Sequence, residues 1–187
     1  MNYHNILHDD MRNGDGLRVT LFVSGCAHYC NNCQNPQTWD CNSGIEFDLA
    51  AKEEIYEQLN NEYISGITFT GGDPLYDGNL NDVLDLIREI KNKFPNKTIW
   101  LYTGYSVDMY ELYESDHTEI VVNPRSNNIE NDLKRANIVS KCDVVIDGRY
   151  EEDKRDVSLH WRGSSNQRII DIQKSLFKGE IVPWDMF

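Results

Sequence analysis

Basic residues are scarce in this sequence, with 18 Lys and Arg against 31 Asp and Glu and a formal net charge of −13. So acidic a chain lacks the cations that neutralise phosphates and release counterions, and a nucleic-acid partner is not expected. Long apolar runs are also missing: nothing approaches the roughly 18 residues needed to span a bilayer. The opening stretch MNYHNILHDDMRNGDG has no apolar core of the kind a secretory signal carries. No membrane association is expected, and the expected compartment is the cytoplasm. No internal repeat or low-complexity linker divides the chain. Its 187 residues suffice for one domain with a sizeable core. The expected division is one domain over residues 1–176 and a C-terminal tail over 177–187.

Cysteine is sparse and its count is odd, five in all, yet three fall within eight positions of SGCAHYCNNCQNP, Ser24 to Pro36. Clustered thiols in a reducing compartment are poor material for disulfides and point to ligation or redox chemistry.

Apolar periodicity orders the rest. Leu17 to Ser24 (LRVTLFVS) reads as a buried strand running straight into the cysteines. A helix over Asp48 to Tyr63 follows, then a strand over Ile67 to Thr70 that ends in Gly71-Gly72-Asp73-Pro74. A helix from about Asn79 to Phe94 leads to a strand over Thr98 to Tyr102, which ends in Thr103-Gly104-Tyr105. Beyond it the sequence predicts a weak helix near Val107 to Tyr113, a short strand over Glu119 to Val122, and a polar loop over Arg125 to Asp132. A helix over Asn131 to Val139 and a strand over Val144 to Asp147 complete the series. Strand–loop–helix repetition predicts an α/β fold on a mostly parallel sheet, open or partly closed into a barrel, with its working loops at the C-terminal edge of the strands.

Cys26, Cys30 and Cys33 follow C-x3-C-x2-C. Thiolates are soft ligands for iron–sulfur clusters and for zinc, and close spacing lets one loop wrap a compact centre. A zinc site would need a fourth ligand; His28 lies only two residues from each neighbouring cysteine and reads better as a hydrogen-bonding loop residue. A cubane cluster has four irons, so three thiolates leave one iron open. Cys41 and Cys142 read as structural. Asn13-Gly14-Asp15-Gly16 precedes a strand and lacks G-x-G-x-x-G, so it is no dinucleotide loop.

Five ordered motifs now stand together: NGDGLRVTLFVSGCAHYCNNCQNPQTW (Asn13 to Trp39), GITFTGGDPLY (Gly66 to Tyr76), IWLYTGY (Ile99 to Tyr105), DVVIDGRY (Asp143 to Tyr150) and WRGSSNQR (Trp161 to Arg168). They resemble the radical S-adenosylmethionine superfamily and, within it, the activating proteins of anaerobic (class III) ribonucleotide reductases. The resemblance implies a partial (β/α)6-type barrel. It also implies a [4Fe-4S] cluster on Cys26, Cys30 and Cys33, with S-adenosylmethionine at the fourth iron. A flavodoxin- or ferredoxin-like donor would reduce the cluster. The resulting 5′-deoxyadenosyl radical would take hydrogen from a glycine Cα of the reductase large subunit.

By the same resemblance Gly71, Gly72 and Asp73 approach the methionine amino group, while Asn32 and Gln34 flank the adenosyl moiety. Many relatives carry an aromatic residue where Asn32 stands, which favours a backbone contact there. Thr103 lies at a strand end where ribose or carboxylate contacts are expected, and the Trp161–Gln167 stretch reads equally as a turn with Trp161 as packing or as a loop that docks the reductase or closes the site. Two other readings are an activator of a different glycyl-radical protein and a small-molecule enzyme of the same superfamily. A third, of another class, is a non-catalytic zinc or electron-transfer module.

Overall fold

The structure, a computed structural model, describes residues 1–111 and 118–185. A seven-stranded sheet runs through it, built from β1 (Asn2–Asp10), β2 (Leu17–Val23), β3 (Ile45–Glu46), β4 (Ile64–Gly71), β5 (Thr98–Tyr102), β8 (Val144–Asp147) and β9 (Arg168–Asp171), in the order β3-β1-β2-β4-β5-β8-β9. The centre, β2-β4-β5-β8, is parallel, and β1, β3 and β9 add antiparallel flanks. The sheet is mixed and open: β3 pairs only with β1 among the described residues, while β9 pairs with β8 and takes an isolated bridge from Pro183 on its other side.

Period-two alternation sorts the strands into two faces. Val19, Leu21, Ile67, Phe69, Ile99, Leu101 and Val145 point to one face, where they are fully buried. The same core takes up α1 (Leu49–Leu59), α2 (Leu80–Lys93), α3 (Ile129–Lys141) and the start of α4 (Ile172–Lys178). Asp48 caps α1 by accepting from Ala51 N at 2.9 Å, a contact worth about 1 kcal/mol. Helix α2 buries Leu80, Val83, Leu84, Leu86, Ile87 and Ile90 and ends on Lys91 and Lys93, which suit the negative end of its dipole.

The opposite face carries polar and aromatic side chains: Arg18, Thr20, Thr68, Thr70, Trp100 and Tyr102. Trp161 and Trp184 pack edge-on against Trp100, with ring centroids 5.0 and 5.6 Å away. Trp184 belongs to the stretch set apart as a tail, yet its N–H donates to Ile169 O at 2.9 Å and Pro183 bridges to Ile170.

Two expectations need correction. Ser106–Glu111 is a strand, β6, rather than the start of a helix; residues 112 and 113 lie outside the described residues. It pairs with β7 (Thr118–Asn123) as a separate antiparallel ribbon, so the expected strand over Glu119 to Val122 exists but lies outside the main sheet. Val107 is the one buried residue among Ser106–Tyr110, so the stretch offers no apolar period that would separate a strand from a helical turn. Within the polar stretch expected as a loop, Asn128 accepts from Glu130 N and Asn131 N and starts α3.

Candidate cluster site at the C-terminal edge of the sheet

Strand β2 delivers Ser24 and Gly25 directly into the cysteine loop, and backbone bonds fix that loop on both flanks. Gly25 N donates to Thr38 O at 2.8 Å and Cys26 N to Trp39 O at 3.1 Å. On the neighbouring strand, Gly72 N donates to Val23 O and Asp73 N to Gly25 O, both at 2.8 Å. The amide of Asn79 adds two donations, to Ser24 O at 2.8 Å and Asp73 O at 3.0 Å. The cysteine loop and the glycine turn are thus sewn into one unit. Only glycine fits at position 72: a Cβ there would lie 2.5 Å from Gly25 O.

Cys26, Cys30 and Cys33 are half-buried on this loop. Cys33 N donates to Cys30 O at 3.2 Å, and Asn35 N donates to Cys33 Sγ at 3.4 Å. Burial, helped by the Asp73 charge, pushes the Cys26 thiol up to about 12, and burial also raises Cys30. Thiols that ligate a metal centre do so as thiolates and release their protons to solvent on binding. Among the described residues no three His, Cys, Asp or Glu side chains converge tightly enough to hold a single metal ion. Three thiols on one compact loop, one of them already accepting an amide bond, are a donor set that fits an iron–sulfur cluster.

Asp73 is 1% exposed and its carboxylate is crowded with donors. Leu75 N donates to Oδ1 at 2.8 Å, Gly104 N to Oδ2 at 2.9 Å, and the Thr103 hydroxyl lies 3.0 Å from both oxygens. His28 Nε2 sits 2.7 Å from Oδ2. The structure therefore brings Gly71, Gly72, Asp73, Thr103 and the start of the cysteine loop together. It leaves Asn32 exposed in the left-handed region (φ 55°), away from this cluster.

Cys33 and Gln34 instead line a cleft of about 320 Å³ with Thr70, Tyr102, Trp161 and Arg162. Arg12, Asn35 and Tyr102 also line it and were not legible as site residues; Tyr102 and Thr70 at adjacent strand ends were the available signal. Cys142 is fully buried, where burial raises its thiol, in keeping with a structural role. Cys41 is exposed and so does not pack as a small hydrophobe. His28 is a hydrogen-bonding residue as expected, but an inward one, its side chain 7% exposed.

Comparison with known proteins agrees with this geometry. Residues 12–170 match the model of a family described as a 4Fe-4S single cluster domain. The anaerobic ribonucleoside-triphosphate reductase-activating protein of Escherichia coli (strain K12) is 40% identical over 169 residues, covering 89% of this chain and 96% of that protein. Its namesake from Enterobacteria phage T4 is 38% identical, covering 90% and 93%. That of Vibrio cholerae is 37% identical over 171 residues, covering 90% and 97%. The chain belongs to the 4Fe-4S single cluster domain family and, within it, to the anaerobic ribonucleoside-triphosphate reductase-activating proteins.

Proposed function

We infer that this chain is an oxidoreductase that activates an anaerobic ribonucleoside-triphosphate reductase by installing a glycyl radical in its large subunit. The observation that carries the reading is the union of the cysteine loop with the Gly71-Gly72-Asp73 turn through Gly25, Asn79 and His28. When bound, a [4Fe-4S] cluster supplies the electron that cleaves S-adenosylmethionine to methionine and a 5′-deoxyadenosyl radical, which takes a hydrogen atom from a glycine Cα of the reductase.

The chain's own residues supply position and shielding. Cys26, Cys30 and Cys33 would hold the cluster, and three thiolates for four irons would leave a position open to the methionine end of S-adenosylmethionine. Gly71 and Gly72 offer backbone for close approach, and Asp73 and Thr103 hold that turn in place. Gln34 and Cys33 open onto the cleft beside Tyr102 and Trp161, which suits the adenosyl group. Tyr102, Tyr150 and Trp161 give this cleft aromatic walls.

The parallel β2-β4-β5-β8 centre with helices on one face supports a partial (β/α)6-type barrel, with residues 1–176 as the radical-generating unit and 177–187 as the C-terminal tail, in which Trp184 packs on Trp100. Among the described residues no helix is long and apolar enough to cross a membrane. Free thiols suit a reducing cytoplasm, where a flavodoxin- or ferredoxin-like protein serves as electron donor, and the acidic surface offers nucleic acid no footing.

Anaerobic reconstitution with iron and sulfide, followed by dithionite, S-adenosylmethionine and the cognate reductase large subunit, tests the assignment by electron paramagnetic resonance. A glycyl doublet is expected with the native chain and with Cys41→Ala, and none with Cys30→Ala. A chain with about four irons that cleaves S-adenosylmethionine yet yields no doublet is not the activator of this reductase. A chain that takes up zinc alone and forms no 5′-deoxyadenosine is not a radical enzyme.

A further inference from the structure

We propose that His28 is a positioning residue: held in one tautomer between Arg149 and Asp73, it fixes Asp73 and thereby holds the Gly71-Gly72 turn against the cysteine loop in the geometry that receives S-adenosylmethionine. This rests on the functional reading above and goes beyond it by giving a role to a side chain that neither ligates the cluster nor touches the substrate.

The tautomer follows from donor chemistry. Arg149 Nε always carries its proton and lies 3.2 Å from His28 Nδ1, so Nδ1 accepts and carries none. Nε2 therefore holds the ring proton and donates it to Asp73 Oδ2 at 2.7 Å. Both ring nitrogens are engaged, which leaves neither for iron. Packing fixes the ring as well. Tyr105 meets it edge-on at 4.7 Å, and Gly104 makes room for it, since a Cβ at 104 would fall 2.4 Å from the imidazole.

The consequence reaches the turn because Asp73 has no spare capacity. Its two oxygens accept from His28, Thr103, and the amides of Leu75 and Gly104, so the carboxylate faces inward and organises backbone. His28 stands two residues from both Cys26 and Cys30, and its bond to Asp73 links the middle of the cysteine loop to the glycine turn. Removing the imidazole leaves the flanking backbone bonds intact and deletes this tie. The chain Arg149–His28–Asp73 thus orients the ligand-bearing loop in the way that outer hydrogen-bond partners orient metal ligands.

The test measures iron content, S-adenosylmethionine affinity by equilibrium dialysis, and imidazole 15N shifts, on reconstituted wild type, His28→Ala, His28→Gln and Arg149→Ala. Expected is full iron in all four, with affinity weakened about tenfold in His28→Ala, the size of one lost hydrogen bond to a charged group. The Gln amide replaces the Nε2–H donor, so His28→Gln should recover most of that loss. The 15N shifts should report the Nε2–H form in wild type and, because the Asp73 carboxylate can only accept, in Arg149→Ala as well. Unchanged affinity in His28→Ala, no rescue by Gln, or iron lost in both His28 variants would each overturn the proposal. A wild-type protein that binds no S-adenosylmethionine would sink the functional reading itself, whereas a change confined to the variants speaks only to His28.

Discussion

Two arginines are buried almost completely, Arg18 at 1% exposure and Arg135 at 2%, and they solve the problem of a buried guanidinium in opposite ways. Arg18 lies on the polar face of the sheet and spends its five donations on neutral oxygens. These are Thr68 Oγ1, Thr98 Oγ1, and the carbonyls of Asp15, Ile67 and Thr98, all at 2.8–3.0 Å. No carboxylate lies within ion-pair distance among the described residues, and burial pushes the group down to about 10. Arg135, on α3, donates to Asp132 at 2.9 Å, to Asp77, to Leu75 O at 3.1 Å and to the Tyr105 hydroxyl at 3.2 Å. Its guanidinium carbon also lies 4.7 Å from the Tyr105 ring centroid. Arg18 rivets strands β2, β4 and β5 together, while Arg135 clamps the segment just after the Gly71–Asp73 turn. The first belongs to folding, the second to the site.

The largest expected effect is on stability at Arg18. Arg18→Ala leaves buried carbonyls and hydroxyls without donors and opens a cavity beside Trp100, a loss of about 4 kcal/mol in urea unfolding. Arg18→Met fills the volume without supplying donors and should recover less than half of it. A cost for Arg18→Ala smaller than that for Arg135→Ala would break the comparison.

Arg135→Ala should cost less, about 2 kcal/mol, because Asp77 is 54% exposed and rehydrates once its partner is gone. Its effect on the site should be the greater one. With Leu75 O, Asp77 and Tyr105 released together, the segment from Asp73 to Asn79 loosens and Tyr105 no longer braces the His28 ring. Amide exchange of Tyr76 and Asn79 should rise in Arg135→Ala and stay slow in Arg18→Ala below its unfolding transition.

Neither arginine's role was legible in the sequence, and the reason is physical. The parallel strands announced themselves because LRVTLFVS, GITFTG and TIWLY carry apolar runs bounded by glycine or turn residues, and the cysteine spacing carried its chemistry locally. Contacts between residues some 45 to 60 positions apart, such as His28 with Asp73 or Arg135 with Leu75, depend on how loops fold over the sheet edge, and spacing does not encode that. Strand β1 was missed because NYHNILHDD is polar over most of its length, as an antiparallel strand near a sheet margin tends to be. The β6–β7 ribbon was half-missed because Ser106–Glu111 is short and offers no apolar period to outvote a helical turn.

The smallest expected effect separates the two arginines by pH. At Asp132 burial acts to raise the carboxyl, but hydrogen bonds from Ser126 and the Arg135 charge outweigh it and hold the group below its ordinary value. A carboxyl depressed in the folded state contributes stability that is present above its unfolded pKa and is lost as pH falls through the folded value. The advantage of wild type over Asp132→Asn should therefore be full at neutral pH and fade in acid, below the ordinary carboxylate range. Arg18 has only neutral acceptors, so the deficit of Arg18→Ala should stay flat over the same acid interval. Urea unfolding of the three proteins across that interval checks both slopes. Parallel pH dependence for the two arginine sites would mean that a nearby carboxylate, rather than neutral oxygens, governs Arg18 after all.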